Sequence, residues 1–358
     1  MKRLKFIDIS KLIAVLFVLV DHAQYYIEVS SIFMIIRVIW LSFFLQIFFV
    51  SAGITSSFET TIAKKNYKAF LSKKFRTLII PYFIWCLILN CSGNYGIDFF
   101  VNVLLGTVDS LNNAGVNSIC WFLPSFFSAN IITLFLLTVF HKFVKGKKRY
   151  IYYCVLILLL LYLQLILNTY VGNYLFFGLK SAFAGSALIV SGILIKEVVL
   201  HIYYNYCCKR KLILGCSLLI PSILLSYCNM PILQNTNSLV QYEYSIWMAQ
   251  GYFGKNGILF LITAISFSMS VLCLSMCLEK IGFLEYLGKR TLLFMMEHIF
   301  THNIIAIHLF PILKSYCGEL RVFPLFIYII LSVALIIMTF PFVDRFMPFL
   351  YKINSEKQ

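Results

Sequence analysis

Three ionisable residues stand inside the first long apolar stretch of the sequence: Lys11, Asp21 and His22. Ionisable groups are costly in lipid, so each of them is a candidate functional residue. Lys11 and His22 are eleven residues apart, so on a helix they share one face and lie about 16 Å apart along the axis. An imidazole accepts and returns protons at neutral pH. The spacing therefore predicts a proton-transfer group, His22, within the membrane and a cation nearer one surface.

These residues also have structural interpretations. His22 would serve equally as a histidine bonded to a neighbouring helix, and Lys11 as a lysine that snorkels to the interface. Asp21 points about 100° away from His22 on a helix, so it is not expected to orient the imidazole directly. Arg37 is expected to pair with Asp21 or Glu28, since all three stand at one end of a short helical hairpin.

Two more groups have chemical potential. The run Lys73-Lys74-Phe75-Arg76 is a dense cationic patch, and such clusters bind phosphates, although the same run also suits a topology signal alone. His298 and His302 have i, i+4 spacing, which brings two imidazoles onto one helical face. No HExxH-type helper accompanies them, so no metal site is expected there.

The composition indicates which elements position these residues. Hydrophobic residues make up 61% of the 358 and charged residues 12%, whereas soluble domains carry about 25% charged residues. This excludes a water-soluble protein and predicts a single all-α, polytopic membrane domain over residues 1–358. Ten spans are predicted, each near the roughly 20 residues that cross a bilayer: 9–28, 31–54, 77–91, 120–140, 150–170, 178–195, 212–228, 257–278, 291–311 and 323–343.

The distribution of Lys and Arg sets the predicted orientation. With the N-terminus in the cytoplasm, 24 of the 30 Lys and Arg residues fall in cytoplasmic segments and 4 in outer segments. This asymmetry follows the positive-inside rule, and it places both termini in the cytoplasm. The net charge of +16 is thereby explained as topology, with no nucleic-acid partner expected.

The two longest outer segments, 92–119 and 229–256, are rich in amide and aromatic residues. Such side chains suit sugar binding, because they offer hydrogen bonds and flat faces. They suit a wet loop or an interfacial aromatic belt as well.

Five motifs in order resemble the membrane acyltransferase-3 family, over nearly the whole chain. They are the Asp8, Lys11 and His22 pattern of the first helix, FFVSAG at 48–53, Lys73 and Arg76 before LIIPYFIW, WFLPSFF from Trp121, and LEYLGKRTLLFMMEH ending at His298. The fourth is similar to the fucose-4-O-acetylase-like branch. Departures are Lys for the usual Arg at positions 11 and 73, Thr291 for Ser, and Met295 where an aromatic residue is common. Lys keeps the charge but loses the planar fork of Arg.

The resemblance implies an enzyme, an O-acyltransferase. It would move an acyl group, most often acetyl, from a coenzyme A thioester to a hydroxyl of a surface or lipid-linked carbohydrate, in a bacterial cytoplasmic membrane. His22 would act as general base or relay the acyl group. Lys11, Lys73 and Arg76 would bind the acetyl-CoA donor, and His298 the acceptor. A glycan-lipid flippase, a small-solute transporter and a glycan polymerase are the alternatives.

Overall fold

The computed structural model describes residues 3–23, 31–90, 93, 95–116, 118–140, 148–172, 175–230, 246–309, 311 and 322–347. These residues are almost entirely helical, apart from one two-stranded antiparallel hairpin. The helices of the first half are α1 Lys5–Ala23, α2 Ser31–Leu41, α3 Gln46–Ile54, α4 Phe58–Ala63, α5 Tyr67–Lys74, α6 Ile80–Ile88, α7 Ile97–Leu105, α8 Val108–Asn113 and α9 Phe122–Phe140. A π-helical turn, Phe75–Ile79, joins α5 to α6, and a 3₁₀ turn, Ser118–Trp121, leads into α9.

The second half has the same character, with longer helices. They are α10 Arg149–Val171, α11 Leu179–Asn205, α12 Cys208–Cys228, α13 Gly257–Leu278, α14 Gly282–Gly288, α15 Thr291–Ile304 and α16 Val322–Phe346. A π-helical turn, Ile305–Leu309, extends α15. The hairpin pairs β1, Ile246–Trp247, with β2, Tyr252–Phe253.

Eight helical segments within the described ranges are long and apolar enough to cross a membrane. They are Ile36–Ile54, Ser118–Phe140, Arg149–Val171, Leu179–Asn205, Cys208–Cys228, Gly257–Leu278, Thr291–Leu309 and Leu325–Phe346. The predicted all-α polytopic membrane fold is confirmed, whereas the count of ten, the cytoplasmic termini and the single domain stay predictions. The two remaining predicted spans correspond to α1, which carries Lys11, and to α6, which follows Lys73 and Arg76 along the chain.

The second predicted span, 31–54, is divided by a turn. Residues 42–45 separate α2 from α3. The Leu41 carbonyl therefore lies at the end of α2 and not inside a continuous helix. The side-chain Nε2 of Gln46 donates a hydrogen bond to this carbonyl oxygen over 2.9 Å. The break therefore fixes the orientation of a buried amide at the start of α3.

Glycine allows α3 and α11 to approach each other closely. A Cβ atom on Gly53 would lie 2.0 Å from the Ile189 carbonyl oxygen, and one on Gly192 would lie 2.1 Å from the Val50 carbonyl oxygen. Small residues at helix contacts serve this purpose in membranes. The FFVSAG motif thus contributes a packing surface.

Helix α1 lies inside the bundle, against α13, α14, α15 and α16. Gly288 at the end of α14 lies so close to the start of α1 that a Cβ atom there would be 2.5 Å from the Asp8 carbonyl oxygen. Phe6, Leu12 and Leu19 are fully buried. This packing holds the Lys11–His22 face among other helices rather than against lipid.

Candidate functional site

His22, near the C-terminal end of α1, lines a cavity of about 480 Å³. Gln46 of α3, Trp121 ahead of α9 and Trp247 of β1 also line it, together with apolar residues from α2, α8 and α15. The volume falls in the usual range for small-molecule sites. Two of its walls come from the predicted outer segments 92–119 and 229–256, as far as these are described.

A buried ion pair forms another wall of this cavity. Arg37 donates from Nε to Asp21 Oδ1 over 2.6 Å and from Nη2 to Oδ2 over 3.0 Å, and Trp40 Nε1 donates to Oδ1 over 2.9 Å. The predicted pairing of Arg37 with Asp21 is confirmed, while Glu28 lies outside the described residues. Asp21 is thus turned toward α2, where its charge is balanced by Arg37.

Behind His22, away from the cavity, lies a row of two more imidazoles on α15. The ring centroids of His22 and His298 are 4.9 Å apart, and those of His298 and His302 are 5.5 Å apart. His298 is fully buried and does not line the cavity. Within the described part of the chain, no group of three or more His, Cys, Asp and Glu side chains is arranged to hold a metal ion.

His298 and His302 differ in the hydrogen-bond partners of their ring nitrogens. His302 Nε2 lies 3.2 Å from the Leu19 carbonyl oxygen and its Nδ1 3.1 Å from Ser332 Oγ. His298 Nδ1 lies 3.1 Å from the Phe294 carbonyl oxygen, whereas its buried Nε2 has no hydrogen-bond partner in the described structure. His298 therefore has one uncommitted nitrogen close to His22.

At the other end of α1, the structure brings Lys74 close to Lys11. The Lys74 Nζ atom lies 5.5 Å from the Phe70 ring centroid and 5.8 Å from that of Phe126. Burial, with the charges of Lys11 and Lys73 adding to it, lowers the pKa of the Lys74 ammonium to about 7. An anion bound beside Lys74 would raise this pKa again and favour the charged ammonium.

Lys73 and Arg76 are exposed, unlike Lys74. The sequence did contain a signal for this difference. Phe70 is buried and stands four residues before Lys74, so the two share the inward face of α5. Donor binding by Lys73 and Arg76 stays a prediction. Lys74 is a further candidate, because it is the cation of this run that faces inward.

Gln46 is a second candidate that sequence reasoning missed. It is fully buried and lines the cavity. Because only Nε2 can donate to the Leu41 carbonyl, the amide oxygen is the atom left over, and it has no donor in the described structure. An unpaired buried acceptor is costly, so this oxygen is available to accept a hydrogen bond from a hydroxyl in the cavity.

A mostly helical membrane bundle with a half-buried histidine lining a cavity at one end and inward lysines at the other has the features of a multi-pass membrane enzyme. The chain belongs to the acyltransferase-3 family: the family model described as an acyltransferase domain matches residues 4–343. The match spans all five motifs and supports acyltransferase activity. No curated protein and no solved structure matches the chain. The resemblance to the fucose-4-O-acetylase-like branch stays a prediction.

Proposed function

We propose that the protein is an O-acyltransferase that moves acetyl from acetyl-CoA to a hydroxyl of a surface or lipid-linked carbohydrate in a bacterial cytoplasmic membrane. The observation that supports this most directly is the position of His22. It lines a cavity of about 480 Å³, and its helix leads back to the Lys11 and Lys74 ammonium groups at the opposite end.

The donor would approach from the lysine end. Acetyl-CoA is made in the cytoplasm. The predicted topology places Lys11, Lys73, Lys74 and Arg76 on that side of the membrane, where they would meet its phosphates. Cationic clusters bind phosphate strongly. With the phosphates at these residues, the thioester arm would lie along the Lys11–His22 face of α1.

The acceptor would occupy the cavity. Trp121 and Trp247 offer flat faces to a sugar ring, and the Gln46 amide oxygen offers an acceptor for one of its hydroxyls. The charges of Asp21 and Arg37 cancel, so this ion pair adds no net charge to the cavity wall. This environment suits an uncharged sugar, because a charged one would lose hydration without a matching counter-charge.

In the proposed reaction, His22 carries out both proton transfers. His22 removes the proton of the acceptor hydroxyl as the oxygen attacks the thioester carbonyl carbon. The C–O bond forms, the C–S bond breaks, and the proton on His22 passes to the departing thiolate to give free coenzyme A thiol. General-base catalysis of this kind contributes typically 10²–10⁴-fold.

A comparison of glycans tests this function. Surface and lipid-linked glycans from cells with and without the protein are analysed by mass spectrometry after growth with labelled acetate. We expect labelled O-acetyl groups that are absent from the deletion strain. Identical acetylation in both strains, with a changed distribution of glycan across the membrane, would instead support a flippase.

A further inference from the structure

We infer that His298 is a positioning residue: its Nε2 accepts a hydrogen bond from the ring N–H of His22 when His22 takes up the acceptor's proton. This inference rests on the proposed role of His22. It assigns to His298 a place behind the reactive imidazole instead of a contact with the acceptor.

The tautomer of His298 follows from its surroundings. A carbonyl oxygen only accepts hydrogen bonds, so the 3.1 Å contact with Phe294 requires the hydrogen to be on Nδ1. A neutral imidazole carries one N–H, which leaves a lone pair on Nε2. That nitrogen is buried and has no hydrogen-bond partner in the described structure. Most buried polar atoms have a partner, so an exception calls for an explanation.

The distance to His22 suits this role. The two ring centroids are 4.9 Å apart and the ring planes are tilted by 46°. An N–H···N bond of about 2.9 Å places imidazole centroids roughly 5 Å apart when the atoms are in line. In sites without substrate, catalytic hydrogen bonds are often poorly aligned and tighten in the reacting complex. A small rotation of His22 would therefore complete the bond.

Two carboxylates next to His22 and His298 in sequence have other hydrogen-bond partners. Asp21 on α1 accepts from Arg37 and Trp40 of α2. Glu297, which adjoins His298 on α15, faces α16 instead, where Thr339 Oγ1 donates to its Oε2 over 2.7 Å.

His302 is also committed, through contacts at both ring nitrogens. Of the two α15 imidazoles, His298 is the one beside His22 and the one with an unpaired ring nitrogen in the described structure.

The consequence for the reaction is specific. Protonated His22 has two N–H groups, and the role inferred for His298 uses one of them and leaves the other for the cavity. If one is held by His298, the other stays aimed at the thiolate that must receive the proton. The bond also stabilises the imidazolium, which exists only after proton transfer begins, so it affects kcat rather than substrate binding.

Two substitutions at one position separate positioning from packing. His298→Leu fills a similar volume without an acceptor, whereas His298→Gln places an amide oxygen near the position of Nε2. We expect His298→Leu to lower kcat by roughly 10²–10³-fold, as with other single preorganised hydrogen bonds, with both KM values unchanged. His298→Gln should recover most of this loss. His302→Gln is the matched control, and it should lower the amount of folded protein more than kcat.

A second measurement keeps the inference independent of turnover. Diethylpyrocarbonate reacts with neutral imidazoles, and peptide mass spectrometry resolves the six histidines by position. We expect labelling of His22 to slow several-fold in His298→Leu and to recover in His298→Gln. If wild-type protein transfers no acetyl, the proposed function fails, and the labelling still tests the contact. Equal losses in both variants, or unchanged labelling in His298→Leu, would overturn the inference.

Discussion

Donor affinity should depend on pH through Lys74. Burial and the neighbouring Lys11 and Lys73 lower its pKa to about 7, so its protonated fraction falls from about 0.9 at pH 6 to about 0.1 at pH 8. If the cation binds a donor phosphate, the KM for acetyl-CoA rises by up to about tenfold between these values. The sign is fixed because the protonated ammonium attracts the anion and the neutral amine does not.

The assay is an initial-rate measurement with radiolabelled acetyl-CoA in proteoliposomes. The donor's own terminal phosphate titrates near pH 6, so the informative quantity is the difference between wild type and Lys74→Arg. Arginine stays charged throughout, and this variant should show only the donor's own pH dependence. Lys73→Arg, at an exposed position, is the control and should follow the wild type. Equal pH dependence in wild type and Lys74→Arg would refute the reasoning.

Three further predictions concern stability and acceptor binding. Asp21→Asn leaves the buried Arg37 charge uncompensated and should cost about 3–5 kcal/mol, seen as a lower melting temperature in detergent; replacing both partners by apolar residues should recover part of it, and strictly additive losses would argue against the pair. Gln46→Leu should raise the KM for the acceptor about five- to tenfold, the value of one hydrogen bond; an equal rise in the KM for acetyl-CoA would contradict its place in the acceptor cavity. Gly53→Ala should destabilise the protein by at least about 1–3 kcal/mol through overpacking, because its Cβ would meet the Ile189 carbonyl oxygen at 2.0 Å. Gly172→Ala is the control, because no described atom outside its own stretch of chain lies within 4 Å of the added Cβ. Equal melting temperatures for the two variants would refute the packing argument.

Much of the fold could be predicted from local signals. Apolar runs of span length and the cations between them gave helices close to those observed, for example α13 at Gly257–Leu278. The Asp21–Arg37 pair was also predictable, since two opposite charges at one end of a hairpin have few other partners in lipid. These features depend on residues near each other in sequence.

The rest depends on helix phase and on contacts between distant elements. The turn at 42–45 interrupts a continuous apolar run, so hydropathy alone did not indicate it or the placement of Gln46. Lys73 and Lys74 are adjacent in a charged run, and only the buried face of α5 distinguishes them. The position of His298 behind His22 arises from the packing of α15 on α1, which neither helix specifies alone.

The central claim is that His22 transfers the acceptor's proton during acyl transfer. It is tested by reconstituting wild-type protein and His22→Ala with labelled acetyl-CoA and a surface-glycan acceptor, after size-exclusion chromatography shows that both are folded. We expect transfer by the wild type and a loss of at least about 10²-fold in His22→Ala, with donor binding retained. Undiminished acetylation by a folded His22→Ala protein would contradict the claim.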